Sequence, residues 1–429
     1  MSAMTGRRVV LTSNGPGELY AWARPVVAAW RRAEPDADVR IALVPCQFAA
    51  GNEAEVASGF DIQGVTTAAQ FLAAGAVGRA PGGLEGGPGG VVLSLGGAGG
   101  HAVALARRLH VPAFKYAFVP YRAGGLERLF VHDEATRRKA RLLGAPAGRV
   151  EVIGNLVADA VHGDRVPGAS AAGPIGLAGD PHVLLLAGSR DAFAVHLIPF
   201  VLAVADHLAA RYPGARFVWP VPRLLRPETI AAGLAGRERA TLGGTSARRD
   251  GDRAVTEAGT VVELVDEGAR YAHMHLADVA VTIPGTNTLE LGIAGVPAVV
   301  VLPLNRPEII PLEGPGHWLS LLPLVGTPLK RRAVRLFVER LDVPVALPNR
   351  FSGEPLMVEV KGVVDPEGVA ARVAALVDDP DDRARRRARL LATMPQPGAA
   401  DRLVERVRTL AHLVPGELGV GEVGVGRGP

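Results

Sequence analysis

An α/β protein made of two doubly wound, Rossmann-like domains is expected from three features of this 429-residue chain. Short β-branched runs alternate with stretches of helical periodicity along most of its length. The connections are heavily punctuated, by 53 glycines and 34 prolines, as turns between strands and helices require. The length exceeds what one ordinary core supports, and 48% hydrophobic residues supply material for two.

The first strand is expected over 8–12, followed by the turn Ser13-Asn14-Gly15-Pro16-Gly17-Glu18. Leu19, Trp22, Val26, Val27 and Trp30 then recur at helical spacing and would seat a helix on the sheet. Further strands are expected at 40–44, 91–95, 113–117, 128–131 and 150–153, with a Gly/Pro-rich surface loop over 78–90. A second set comprises strands at 183–187, 216–220, 260–264, 279–283 and 298–302, a helix through 192–211, and a mobile loop over 237–259. After 341 come an extended piece around Asn349, one charged helix over 366–393 and a last helix over 399–413. Segment 166–179, rich in Gly, Ala, Pro and Ser, marks a boundary. The expected domains are 1–166 and 167–396, with 397–429 holding the last helix and a Gly-rich tail expected to be disordered.

Composition narrows the function classes. The formal charge is only +4 despite a pI of about 9.5. Lysine is confined to Lys115, Lys139, Lys330 and Lys361, which reads as a base-composition bias rather than a nucleic-acid footprint. No interleaved aromatic and basic stripe is present. Cys46 is the single cysteine, so no intrachain disulfide or thiolate cluster is expected. The start passes through Arg7 and Arg8 directly into a strand, without a signal-peptide pattern, and no uninterrupted apolar run reaches roughly 18 to 20 residues. A cytoplasmic chain whose membrane contact, if any, is peripheral is expected.

The densest chemistry lies in 277–303, ADVAVTIPGTNTLELGIAGVPAVVVLP, a strand, a small-residue turn, a helix start and a second strand. Gly285 lets a ligand approach the backbone, Thr286, Asn287 and Thr288 add donors, and the free N–H groups of the helix start face an anion. Glu290, one turn in, suits the hydroxyls of a ribose. The plainer reading is an Asn-x-x-Glu capping box between Asn287 and Glu290. Segment 184–190, LLLAGSR, ends a strand in Gly188, Ser189 and Arg190, at the edge where open α/β sheets bind ligands. Arg190 could pair with phosphate in a bidentate way; its plainer reading is a solvated surface residue. The Gly-x-Gly of Gly15 and Gly17 lacks the third glycine and downstream acid of the dinucleotide fingerprint, which disfavours a dehydrogenase.

The order of LLLAGSR, ADVAVTIPGTNTLELGIAGVPAVVV, the Pro348-Asn349 pair with Glu359 beyond it, and QPGAADRLVERV resembles lipid-A-disaccharide synthase and its related branch, which are GT-B glycosyltransferases. EVIGNLVADAV from Glu151 is similar to an element before that family's interdomain linker, with Asn155 and Asp159 at the matching polar positions. SNGPGE from Ser13 is closer to the start of the synthase-related branch. The resemblance implies a GT-B fold, two Rossmann-like domains facing a cleft, and an inverting hexosyltransferase. It implies a UDP-sugar donor in the second domain, an acceptor in the first, and no cofactor or obligatory metal. By carry-over, Gly188, Ser189, Arg190, Gly285, Thr286, Asn287 and Thr288 hold the diphosphate, Glu290 the ribose, and 261–268 lies near the base. Asn349, Arg350 and Glu359 approach the donor sugar.

One departure matters. Where the true synthases carry an acidic run after a first-domain strand, this chain has Leu95-Gly96-Gly97-Ala98-Gly99-Gly100-His101, so no catalytic Asp carries over. This form looks more like the acceptor loop of the peptidoglycan-precursor N-acetylglucosaminyltransferase. Glu18 or His101 then becomes the candidate general base, and Asn14, Gly15, Gly17, Gly99, Gly100 and Asn155 the acceptor-side set. Plainer readings are a helix-terminal charge for Glu18 and a helix-start polar residue for His101. His132-Asp133, His273 and His275 lack metal-ligand spacing and are assigned no chemistry. The resemblance suggests a lipid-linked or glycolipid acceptor. The run 318–325, WLSLLPLV, could meet acyl chains or pack in a core. The cluster Arg383, Arg385, Arg386, Arg387 and Arg389 could meet anionic headgroups or form a solvated helix face. Two alternatives stay open: a nonhydrolysing UDP-N-acetylglucosamine 2-epimerase, which needs acidic cleft residues not located here, and a nucleotide-sugar-binding protein without transfer activity.

Overall fold

The computed structural model describes residues 6–45, 51–84, 89–163, 181–306 and 343–413. Cys46, the expected boundary segment, the apolar run 318–325 and the Gly-rich tail lie outside them. The chain forms two units, Met1–Ala160 with Pro397–Pro429, and Val161–Gln396.

The first unit is a seven-stranded parallel sheet in the order β3-β2-β1-β4-β5-β6-β7. Its strands are β1 (Arg8–Ser13), β2 (Asp38–Leu43), β3 (Gly64–Thr66), β4 (Val91–Ser94), β5 (Ala113–Ala117), β6 (Arg128–Val131) and β7 (Val150–Val152). Between them run α1 (Pro16–Glu18), a π-helix at Leu19–Ala23, α2 (Arg24–Ala33), α3 (Glu53–Ser58), α4 (Ala68–Ala76), α5 (Gly99–Leu109) and α6 (Glu134–Leu142), with α7 (Leu156–Gly163) closing the set. Consecutive apolar residues such as Val9, Val10 and Leu11 are all buried because parallel strands are covered on both faces. One face packs Trp30, Phe114, Tyr116 and Phe130; the other packs Val92, Ala102 and Leu105 of β4 and α5. Strand β3 has only three residues and leaves too short a pattern to be read from sequence.

The last helix, Ala399–Leu413, completes this first core with Ala399, Leu403, Val404 and Val407. Its start is capped from a distance: the Asp159 carboxylate accepts from Gly398 N at 2.7 Å, Ala399 N at 3.0 Å and Ala400 N at 3.3 Å. Arg406 pairs with Glu151 at 2.6 Å and Arg408 with Glu34 at 2.8 Å. The sequence reading set 397–429 apart; the structure joins its helix to the first unit.

The second unit is an eight-stranded sheet, β10-β11-β12-β9-β8-β13-β14-β15. Its strands are β8 (His182–Leu185), β9 (Arg216–Val221), β10 (Ala247–Asp250), β11 (Arg253–Thr256), β12 (Val261–Asp266), β13 (Val279–Thr282), β14 (Ala298–Pro303) and β15 (Val358–Gly362). Helices α8 (Asp191–Arg211), α9 (Pro227–Leu234), α10 (Arg270–Leu276) and α11 (Thr286–Ala294) are followed by helices Leu347–Ser352, Pro366–Asp378 and Pro380–Thr393. Helix α8 is long and apolar enough to cross a bilayer by length and composition, yet Leu197, Ile198, Phe200, Val201 and Val204 are buried in this unit's core.

Three expectations need correction. The loop expected over 237–259 contains the antiparallel hairpin β10–β11, with Asp250 paired to Arg253 around Gly251 at φ +62°. An Asp-Gly pair between strands is a hairpin signal, here masked by the surrounding arginines. The extended piece around Asn349 is the helix Leu347–Ser352, with proline in its first turn. The single charged helix over 366–393 is two, because Pro380 cannot continue the first and Asp379 caps the second through Asp382 N at 2.8 Å.

Candidate functional site

In the second unit, β8 and β13 are parallel neighbours with Leu185 beside Val281. Their exit turns therefore emerge side by side at the C-terminal edge of the sheet. Gly188 takes φ +83°, and a Cβ there would lie 2.9 Å from Ile283 Cδ1, so glycine lets the two turns touch. Ser189 and Arg190 follow, both exposed. On the neighbouring turn Gly285 adopts φ +146° as the N-cap of α11, with open space where a Cβ would point. Gly285 and Thr286 are exposed and Asn287 half-buried. The first amides of a nine-residue helix thus sit beside a flexible turn carrying a hydroxyl and a guanidinium. Helix starts and arginine favour anions for independent reasons.

Other candidates of this unit face inward. The expected capping box does not form, since Gly285 rather than Asn287 caps α11. Thr288 Oγ1 donates to Gly285 O at 2.8 Å and accepts from Leu347 N at 3.1 Å, pinning the turn to the helix Leu347–Ser352. Glu290 is 1% exposed; its Oε1 accepts from Arg270 Nη2 at 2.6 Å and from Tyr271 Oη at 2.9 Å. Arg270 also donates to Glu267 Oε1 at 3.1 Å, and Glu267 Oε2 accepts from Arg223 N at 2.9 Å. A buried polar chain therefore links α11 to the ends of β9 and β12. The Glu290 carboxylate is thus held by Arg270 and Tyr271 within this network.

Asn349 is likewise buried, donating to Met357 O at 2.9 Å and Glu359 Oε1 at 3.0 Å and accepting from Met357 N at 2.8 Å. Glu359 also accepts from Ala346 N at 2.9 Å and pairs with Lys361 at 3.0 Å. Both residues hold the helix Leu347–Ser352 against β15, while Arg350 is exposed. A cavity of about 900 Å³ is lined by Asn349, Arg350, Glu354, Glu359, Lys361 and Arg386. The arginine cluster is largely engaged within the protein. Arg383 donates to Leu376 O and Val377 O, Arg386 pairs with Asp382 and donates to Pro355 O, and Arg389 pairs with Glu354.

The first unit builds its own polar cluster at the C-terminal ends of β1 and β4. Glu18 folds back over Gly15, where a Cβ would lie 1.7 Å from Oε2, and beside Gly96, where a Cβ would lie 3.5 Å from Glu18 Cδ. The same Gly96 Cβ would lie 2.7 Å from Asn14 Oδ1. Asn14 Oδ1 is buried with no hydrogen-bond partner among the described residues. Beneath the glycine loop, Lys115 Nζ donates to Gly97 O at 2.9 Å and Ser94 Oγ at 3.3 Å and lies 5.3 Å from the Tyr121 ring centroid. Gly99 is kept small by Tyr121 and Lys115, whose Oη and Cδ would lie 2.8 and 3.0 Å from a Cβ.

Burial raises the Glu18 pKa above the ordinary carboxylate value, opposed by its own and the Gly15 backbone amides and by Lys115. Burial pulls Lys115 down to about 8, with Glu18 opposing. The π-helix after Glu18 presents Trp22 edge-on to Tyr116, centroids 5.5 Å apart; such bulges recur at functional sites. His101 instead packs edge-on against Phe71 at 5.8 Å. Gly17 and Gly100 leave open space. Asn155 is buried, and its Oδ1 accepts from Val157 N at 3.0 Å at the start of α7, a local structural contact. His132 stacks on Phe118 at 4.1 Å, Asp133 caps α6 through Thr136 N, and His275 Nε2 contacts Val161 O. Sequence reading missed Lys115 as a site residue. The available signal was a lysine inside an apolar strand of a chain nearly devoid of lysine.

No protein-family profile matches the chain. It is 28% identical over 232 residues to a lipid-A-disaccharide synthase of Anaeromyxobacter dehalogenans, covering 52% of this chain and 48% of that protein. It is 27% identical over 235 residues to one of Pseudomonas aeruginosa, covering 54% and 49%. The chain thus matches about half the length of these curated relatives. Among solved structures it is similar to a UDP-N-acetylglucosamine 2-epimerase, with TM-score 0.55, 13% identity and coverage of 95% and 97%. A putative epimerase of that kind from Listeria monocytogenes gives 0.53, 12%, 96% and 98%. At such identity the likeness concerns fold: the chain has the GT-B fold of two Rossmann-like α/β units.

Proposed function

We propose that the protein is an inverting glycosyltransferase that moves a sugar from a UDP-sugar, of the UDP-N-acetylglucosamine type, to a lipid-linked or glycolipid acceptor. The observation that carries the reading is the pair of adjoining turns in the second unit, Gly188-Ser189-Arg190 and Gly285-Thr286-Asn287 at the start of α11. The likeness to relatives named lipid-A-disaccharide synthase supports the donor and the lipid acceptor. The reaction belongs on the cytoplasmic side, with peripheral membrane contact through the acceptor.

In this reading the diphosphate lies on the α11 amides and Arg190, which oppose the charge that grows as the anomeric carbon–oxygen bond breaks. An acceptor hydroxyl attacks the opposite face of that carbon. Glu18 takes its proton, so one C–O bond forms, one breaks, and configuration inverts. A raised carboxylate pKa suits a general base working near neutral pH. Glu18 is preferred to His101 because it lies beside the glycine loop with Lys115, whereas the His101 ring packs on Phe71. The reading requires no cofactor or metal.

Calorimetry and thermal shift with UDP, UDP-N-acetylglucosamine, UDP-glucose, GDP-mannose and NAD test the donor, because a ligand that binds only the folded state raises stability. Saturable binding of UDP species alone is expected. Binding of none, or of NAD, would overturn the reading. Conversion of UDP-N-acetylglucosamine without acceptor would replace it by epimerisation, and binding without any turnover by a nucleotide-sugar-binding role.

A further inference from the structure

Lys115 is 5% exposed in the middle of β5, an expensive place for an ammonium without a purpose. Its strand neighbours in register are Ser94 and Leu129. From the elements packed around it, α1 contributes Glu18, the segment after β5 contributes Tyr121, and β4 contributes Ser94. Helix α5 meets it at Gly99, while His101 of that helix lies against Phe71.

We propose that Lys115 is the positioning residue of the first unit: it fixes the glycine loop through Gly97 and supplies the counter-charge that faces Glu18. The inference rests on the reading of Glu18 as the base. A base must be ionised to accept a proton, and burial works against that; a neighbouring ammonium favours the charged form. The same ammonium holds the Gly97 carbonyl, so one side chain sets both the ionisation of the base and the shape of the loop beside it. Gly97 and Gly99 allow the close approach that this requires.

The test is a direct titration of the Glu18 carboxyl by carbon-detected NMR on selectively labelled full-length protein, assigned with Glu18→Gln. In Lys115→Met the midpoint is expected to move up by about one pH unit or more, and in Lys115→Arg to stay near the wild type. Lys115→Gln, which keeps a donor for Gly97 O but no charge, serves if the methionine variant does not fold, with the same upward shift expected. Hydrogen exchange of 95–101 should rise in Lys115→Met with little change elsewhere. An unchanged midpoint in both uncharged variants overturns the proposal, as does a midpoint that moves equally in Lys115→Arg. In transfer assays the acid limb of kcat/KM should follow the carboxyl midpoint. If the carboxyl titration shifts as expected but no donor is ever turned over, the transferase reading fails and the Lys115–Glu18 coupling stands.

Discussion

Glu290 shows how packing gives protein partners to a side chain whose place on a helix suggests a ligand. It sits where a ribose-binding carboxylate was expected, yet its Oε1 is held by Arg270 and Tyr271 and the residue is buried. Arg270 keeps Glu267 as a carboxylate partner at 3.1 Å, so its charge is not stranded when Glu290 is removed. Glu290→Ala is therefore expected to lower stability by about 1–3 kcal/mol in urea denaturation, through the lost charged hydrogen bonds. Any loss of nucleotide affinity would follow from a loosened α11. A variant of wild-type stability that had lost nucleotide binding would instead make Glu290 a direct ligand contact. Asn349 follows the same pattern: the motif position was legible, but its amide closes on Met357 and Glu359.

Several helix starts are capped by a residue close in sequence: Asp365 caps the helix Pro366–Asp378 from three residues away, and Thr67 with Gln70 forms a capping box on α4. The last helix stands where its periodicity put it, at Ala399–Leu413, but its cap could not be read locally, because it is Asp159, 239 residues from Gly398. Asp159→Ala should cost about 1–2 kcal/mol and speed hydrogen exchange at 398–402 before any other segment. Equal exchange there in the variant and the wild type would show that the three amide contacts contribute nothing. The short strand β3 and the hairpin β10–β11 escaped for a related reason. Three residues carry no period, and the arginines of the hairpin read as loop.

Across the whole molecule, the alternation of strands and helices assigned both α/β units, because a parallel sheet needs apolar strands and amphipathic crossovers that leave a local pattern. The membership of the last helix is a long-range fact. Ending the chain at Gln396 removes Ala399, Leu403, Val404 and Val407 from the first core. Each buried Leu or Val contributes about 1.5–3 kcal/mol, and a unit's net stability is only about 5–15 kcal/mol. Scanning calorimetry of that shortened chain should lose the transition of the first unit and keep that of the second. Retention of both would mean that the helix is an appendage.

The amino-acid order alone thus determined the two sheets, most of their strands, and the two glycine-containing turns at which we propose an anion binds. Those features depend on periodicity and on glycine's backbone freedom, which are written within a few residues. Only the tertiary structure decided which polar groups meet. Lys115 beneath Gly97, Glu290 with Arg270, and Asp159 on the last helix are pairings across 18, 20 and 239 residues. A buried polar atom takes whichever partner packing brings to it, and no local pattern records that choice.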